Sequence, residues 1–165
     1  MIVVSDTTAL TNLFQIGEMH ILKEVFGEIV IPEAVYRELG EIPDQLESID
    51  SQDWINVQKV IGTDVVEMLK MHLDEGESEA IALALEIGSD FLVIDEWKGR
   101  RKAAEMGLQV IGLIGILSLA KRKGIISAVR PILDKMIEMT GFRILPALYR
   151  NALPVSYTHL LRNRF

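Results

Sequence analysis

Acidic residues stand in this sequence where strands give way to helices. Asp6 follows the β-branched run Ile2-Val3-Val4-Ser5. Glu38 sits near the end of the segment Glu33–Leu39, which Pro32 opens after Ile29-Val30-Ile31. Glu77 and Glu79 start an apolar helix at Gly76-Glu77-Ser78-Glu79, and Asp95-Glu96 closes the run Phe91-Leu92-Val93-Ile94. In an open α/β sheet, sites form outside the carboxyl ends of the strands. Four acidic positions far apart in sequence are thereby placed to meet at one rim. Crowded carboxylates repel and raise one another's pKa, so a cation is what makes such a gathering favourable. Hard oxygen donors suit Mg²⁺ or Mn²⁺. Such an ion lowers the pKa of a bound water and neutralises charge on a phosphodiester in its transition state. The chemistry indicated is metal-assisted phosphodiester hydrolysis. The chain has no cysteine, and His20, His72 and His159 are scattered, which argues against zinc.

Each acid also has a plainer use. Asp6 and Asp95 suit helix N-caps. Glu77 and Glu79 suit the positive end of their helix, and Glu38 alone suits a solvated helix face. Only the constellation is informative. Successive helix residues turn by about 100°, so Glu77 and Glu79 cannot both face one pocket. Glu77 shares a face with Ile81 and Ala84, which the pattern marks as packed inward. Beyond Asp95 lies a basic stretch, Lys98-Gly99-Arg100-Arg101-Lys102. Lys98, Arg100 and Arg101 are candidates to hold a phosphate backbone; a solvated face balancing the acidic half is nearly as good a reading. Lys121-Arg122-Lys123 falls at a helix end, where cations are favoured in any case.

The elements that must hold these groups are legible from periodicity. Ile2–Ser5, Ile29–Ile31, Phe91–Ile94 and Leu108–Ile111 read as short buried strands, with Trp54–Val57 as an edge strand. Helical spacing covers residues 8–16, 19–26, 33–39, 63–73, 77–87, 98–106, 112–123 and 126–139. Glu41–Asp53 is polar and reads as a loop, and Asp74-Glu75-Gly76 as a helix break. Short apolar strands alternating with helices make an α/β fold, with a mostly parallel sheet of four or five strands covered on both faces.

The chain has 165 residues, a formal charge of −7 and 49% hydrophobic residues, enough for one well-buried domain and incompatible with general disorder. The total hides an asymmetry: residues 1–80 carry −13 and residues 81–165 carry +6. Segregated charge is compatible with a nucleic-acid partner where uniform acidity is not. No secretory leader or membrane-length apolar run is visible, so a cytoplasmic protein is expected. The domain is expected over residues 1–150. The remainder, 151–165, continues no pattern and reads as a frayed or foreign tail. A phosphate-binding P-loop, a dinucleotide glycine fingerprint and a serine-hydrolase elbow are absent.

Val4-Ser5-Asp6-Thr7-Thr8, Ile31-Pro32-Glu33-Ala34-Val35-Tyr36-Arg37-Glu38-Leu39, the segment Gly76–Ala84, and Leu92-Val93-Ile94-Asp95-Glu96 come in the order found in PIN-domain ribonucleases. The chain resembles that family, near the VapC-like toxins of prokaryotic toxin–antitoxin pairs. Lys121–Arg143 is similar to a related subgroup with an added C-terminal helical part. The resemblance implies a three-layer α/β/α fold and a Mg²⁺- or Mn²⁺-dependent endoribonuclease acting on RNA. It places metal binding and catalysis on Asp6, Glu38, Glu77 and Asp95, with Thr7 supporting the first acid. It also implies a homodimer and an antitoxin partner. The family usually has Asp at the third acidic position; here Glu77 stands there, with Glu79 two residues on as a supporting acid. Two other readings stay open: a receiver-like signalling domain that accepts a phosphoryl group at Asp6, and a PIN-like module that binds RNA or protein without cleavage.

Overall fold

A computed structural model describes residues 1–152; of the expected tail, 151–165, residues 151 and 152 end the last helix and the rest lies outside the described residues. Five strands form one sheet: β1 (Val3–Ser5), β2 (Ile29–Pro32), β3 (Ile55–Gln58), β4 (Phe91–Val93) and β5 (Val110–Ile111). Every pairing is parallel, in the order β3-β2-β1-β4-β5. Val4 is in register with Val30 on one side and Leu92 on the other, so β1 is the central strand. The chain moves outward from β1 through β2 to β3, then crosses to β4 on the far side. The strand order therefore reverses between β1 and β4, and a crevice opens there at the carboxyl ends. This order differs from the 2-1-3-4-5 arrangement of receiver-like folds, so the phosphoryl-acceptor reading does not fit.

Side chains alternate across the strands and feed two separate cores. Val3, Ile29, Ile31 and Val93 pack against α1 (Thr7–Gln15), α2 (His20–Phe26), α8 (Leu113–Arg122) and α9 (Val129–Thr140). Val4, Leu92 and Ile94 pack on the opposite face against α5 (Thr63–Lys70), α6 (Glu75–Glu86) and α7 (Trp97–Glu105). The result is a three-layer α/β/α sandwich. In α6, Ala80 through Ala84 are all buried, as its nearly all-round apolar sequence requires. Two lysines tie the first layer together at helix ends: Lys123 Nζ donates to the Val25 carbonyl at 2.6 Å, and Lys135 Nζ to the Ile16 carbonyl at 2.5 Å. Among the described residues no helix is long and apolar enough to cross a membrane.

The structure departs from the sequence reading in three places. The expected loop at 41–53 contains α4 (Gln45–Asp50). Its polar composition conceals two tertiary anchors: Ile49 is buried in the first core, and the Gln45 amide donates to Thr11 Oγ1 at 2.9 Å. The break expected at Asp74-Glu75-Gly76 falls earlier, between the end of α5 at Lys70 and Asp74, and Glu75 already starts α6. Asp74 is the N-cap of α6, accepting from the Glu77 amide at 2.7 Å. A further helix, α10 (Pro146–Ala152), follows α9, with Pro146 in the first helical position that proline favours. Between α3 (Glu33–Leu39) and β2 the chain passes directly from strand to helix through Pro32, so the end of β2 sets where α3 and its Glu38 lie.

Candidate metal centre

Asp6 follows β1 directly, and its amide extends the β1–β4 ladder by donating to the Val93 carbonyl at 3.0 Å. The backbone thereby fixes Asp6 at the mouth of the reversal point. It stands at the N-cap position of α1, yet its side chain makes no capping hydrogen bond of normal geometry. The side chain is only 2% exposed, and Oδ1 has no hydrogen-bond partner among the described residues. Burial, then the nearby charges of Asp95 and Glu77, hold the Asp6 carboxyl well above the usual carboxylate range. The amides of Ala9 and Asp95 offset this only in part.

Glu77 occupies the first turn of α6 and is 6% exposed. Its Oε1 is likewise buried and unpartnered among the described residues. Burial, then the charges of Asp74 and Glu96 and, more weakly, Glu38, push its pKa up to about 7. Gly99 on α7 makes room for this carboxylate, since a Cβ there would lie 2.8 Å from Oε1. Glu79 does something else. Its Oε2 accepts from the Ala34 amide at 2.9 Å, in the first turn of α3. It ties α6 to the helix that carries Glu38.

Glu38 is half-buried and held from two sides: Thr7 Oγ1 donates to Oε2, and the Gly76 amide donates to Oε1 at 2.9 Å. Burial raises its pKa, and the Thr7 hydroxyl draws it back down. Asp95 lies two residues past β4. Both its oxygens accept from the Leu113 amide, at 3.0 and 3.2 Å, so it caps α8. Burial raises the Asp95 pKa, while the Leu113 amide and the Arg100 charge oppose that rise.

The structure thus brings Asp6, Glu38, Glu77 and Asp95 to one rim, coupled by charge through Glu77 and Asp6. Among the described residues, however, the group whose ligand-type oxygens lie within 4.8 Å of one another is Asp74, Glu77 and Glu96. Asp74 and Glu96 are not among the site residues drawn from the sequence. Asp74 reads there as a helix breaker, although the spacing Asp74-x-x-Glu77 is that of a capping box. Glu96 is overshadowed by its neighbour Asp95. The basic stretch also divides. Lys98 is exposed, and Arg101 is paired with Glu105 at 2.9 Å and lies over the Trp97 ring. Arg100 instead turns inward, with Nη1 donating to the Ile94 carbonyl at 3.0 Å. It braces Asp95 rather than projecting as a free surface cation.

Whether this donor set suits a cation can be judged from its orphaned atoms. Two carboxylate oxygens are buried without a partner, and every donor around them is a hard oxygen. Buried polar groups are nearly always satisfied, and crowded carboxylates stay together when a proton or a cation joins them. The residues fit a divalent ion of the Mg²⁺ or Mn²⁺ class.

Gly76 offers a test of the frame. A Cβ at this position would overlap the Glu38 carboxylate. Because that carboxylate ends a flexible side chain, it can move aside. In Gly76→Ala the lost hydrogen bonds and the gain in helix propensity nearly cancel, leaving stability within about 1 kcal/mol of wild type. Mn²⁺ affinity should fall roughly tenfold or more, as when the supports of metal ligands are removed. Calorimetric titration that finds unchanged affinity would show that Glu38 does not contribute.

No curated protein matches the chain. A family model described as PIN domain matches residues 2–156, nearly the whole length. The parallel sheet with helices on both faces and the acidic rim at its carboxyl end are consistent with that match, and the chain belongs to the PIN domain family.

Proposed function

We propose that this protein is a metal-dependent endoribonuclease that cleaves RNA phosphodiesters, on the toxin side of a VapC-like toxin–antitoxin pair. The observation that carries the nuclease reading is the pair of buried, unpartnered oxygens on Asp6 and Glu77 at one sheet rim. PIN domains are in general metal-dependent nucleases. The toxin role, a homodimeric state, an antitoxin partner and a cytoplasmic location follow from the family resemblance. The domain is taken as residues 1–150.

In this reading Asp6, Glu77, Glu38 and Asp95 hold Mg²⁺ or Mn²⁺, with Asp74 and Glu96 extending the set outward. The bound ion supplies an activated water and neutralises charge on the phosphoryl oxygens. The protein's own part is positioning. Thr7 and the Gly76 amide fix the Glu38 carboxylate, while the Leu113 amide and Arg100 fix Asp95. Glu79 anchors α3. Lys98 and Arg101, exposed on α7, offer phosphate contacts beside the rim.

The direct test is incubation of the purified protein with a mixed pool of single-stranded RNAs. Cleavage should appear with Mn²⁺ or Mg²⁺ and stop when EDTA is added. Cleavage that persists in EDTA, or none across a pool covering all short sequences, would overturn the reading.

A further inference from the structure

Beside the acidic rim lies a cavity of about 640 Å³, within the range of ligand-binding clefts (~300–1,000 Å³). Its walls are the β5 edge of the sheet, one side of α8 and the segment 142–148. Asp95 and Glu96 are among its lining residues, so the cavity borders the proposed metal centre. Beyond those two residues the lining contains no acid. It contains three arginines, Arg100, Arg122 and Arg143, although the chain as a whole carries a charge of −7. Much of the rest is apolar, including Ile111, Ile114 and Phe142. Trp97 also lines it and is 67% exposed. A large aromatic so exposed contributes little to folding. Its ring is already in contact with a cation, the Arg101 guanidinium lying 5.4 Å from its centroid.

We propose that this cleft binds the single-stranded RNA flanking the scissile phosphate, with bases on Trp97 and the apolar floor and phosphates on Arg122 and Arg143. The inference rests on the nuclease reading for its substrate class. Its recognition chemistry rests on the cleft itself. Single strands are held by aromatic platforms for the bases and positive side chains along the backbone. This cleft has both. An apolar peptide would use the floor but leave the guanidinium groups without partners. The cleft also accounts for a role of residues 142–148, which lie past the sheet and contribute nothing to the acidic rim.

The experiment uses the full chain in EDTA, so that binding is read without cleavage. Trp54 is 3% exposed and Trp97 is 67% exposed, so a ligand at the cleft acts selectively on Trp97 emission. Titration with a short single-stranded RNA should quench that emission. An abasic strand of equal length should bind roughly tenfold or more weakly, as loss of base stacking on an aromatic requires. Arg143→Gln should weaken binding and lower the slope of log affinity against log salt by roughly 0.7, as for one phosphate contact on a single strand. With Mn²⁺ present, Trp97→Ala should raise KM for a long RNA several-fold. Unaltered Trp97 emission together with unaltered binding by Arg143→Gln would overturn the proposal. So would an emission change that follows protein concentration without RNA, which would assign the cleft to a second copy of the chain. Loss of cleavage with intact binding would instead count against the nuclease reading alone.

Discussion

Asp6→Asn should lower RNA cleavage by more than about 100-fold, because loss of even the outer partners of metal ligands commonly costs 10–100-fold. The same change should not weaken the metal-free fold. Asp6 is 2% exposed, its Oδ1 is unpartnered among the described residues, and burial already disfavours its charge. Asparagine keeps the shape and removes the buried charge. The metal-free variant should therefore match or exceed wild type in thermal stability at pH 8, while Mn²⁺ no longer raises its melting temperature. Functional sites trade stability for chemistry in this way. If Asp6→Asn cuts RNA at the wild-type rate, Asp6 is not a ligand. If it melts well below wild type without metal, Asp6 is structural.

Asp6 is the acid whose place could be read most directly from the sequence. A β-branched run that stops at an aspartate needs little tertiary information, because the strand end and the residue are the same place. Glu38 is legible for a related reason: Pro32 joins strand to helix with no loop to blur the geometry. Glu77 over Glu79 was a matter of helical phase, and the two side chains do part, one into the buried rim and one to the Ala34 amide. What could not be read depends on contacts between distant elements. Arg100 belongs to a run of basic residues, and nothing local says that it alone turns back to the Ile94 carbonyl. Asp74 caps a helix and borders the rim at once, and a composition that favours a turn hides both roles. The helix at 45–50 forms because Gln45 and Ile49 meet α1 and the core, not because its sequence is periodic. The cleft brings the sheet edge together with residues more than thirty positions later, so no window of sequence contains it.

Metal-free protein should lose stability as pH rises from about 4.5 through 7, and Mn²⁺ should reverse that loss. The sign follows from Glu77. Its folded pKa, about 7, lies above the ordinary value of 4.5. The folded state therefore holds a proton that the unfolded chain releases. That contribution is fully present below pH 4.5 and is lost as pH passes 7. Its size is roughly 2 kcal/mol once solvent screening at the open rim is allowed for. Asp6, Glu38 and Asp95 are shifted upward as well and act in the same sense. A divalent ion favours the ionised carboxylates, so its binding displaces protons and its affinity should increase with pH over the same interval. At 100 times its dissociation constant it adds about 2.7 kcal/mol to folding. Glu77→Gln should remove its own share of the pH-dependent loss and the metal response together: a metal-free protein more stable by roughly 2 kcal/mol at pH 8, and a melting temperature nearly insensitive to Mn²⁺. Glu79→Gln should leave both in place and instead loosen α3, whose Ala34 amide loses its acceptor charge. Urea titrations at pH 5 and pH 8, with and without Mn²⁺, on wild type and the two variants, separate these outcomes. A metal response that vanishes in Glu79→Gln and survives in Glu77→Gln would reverse the assignment of the third acid.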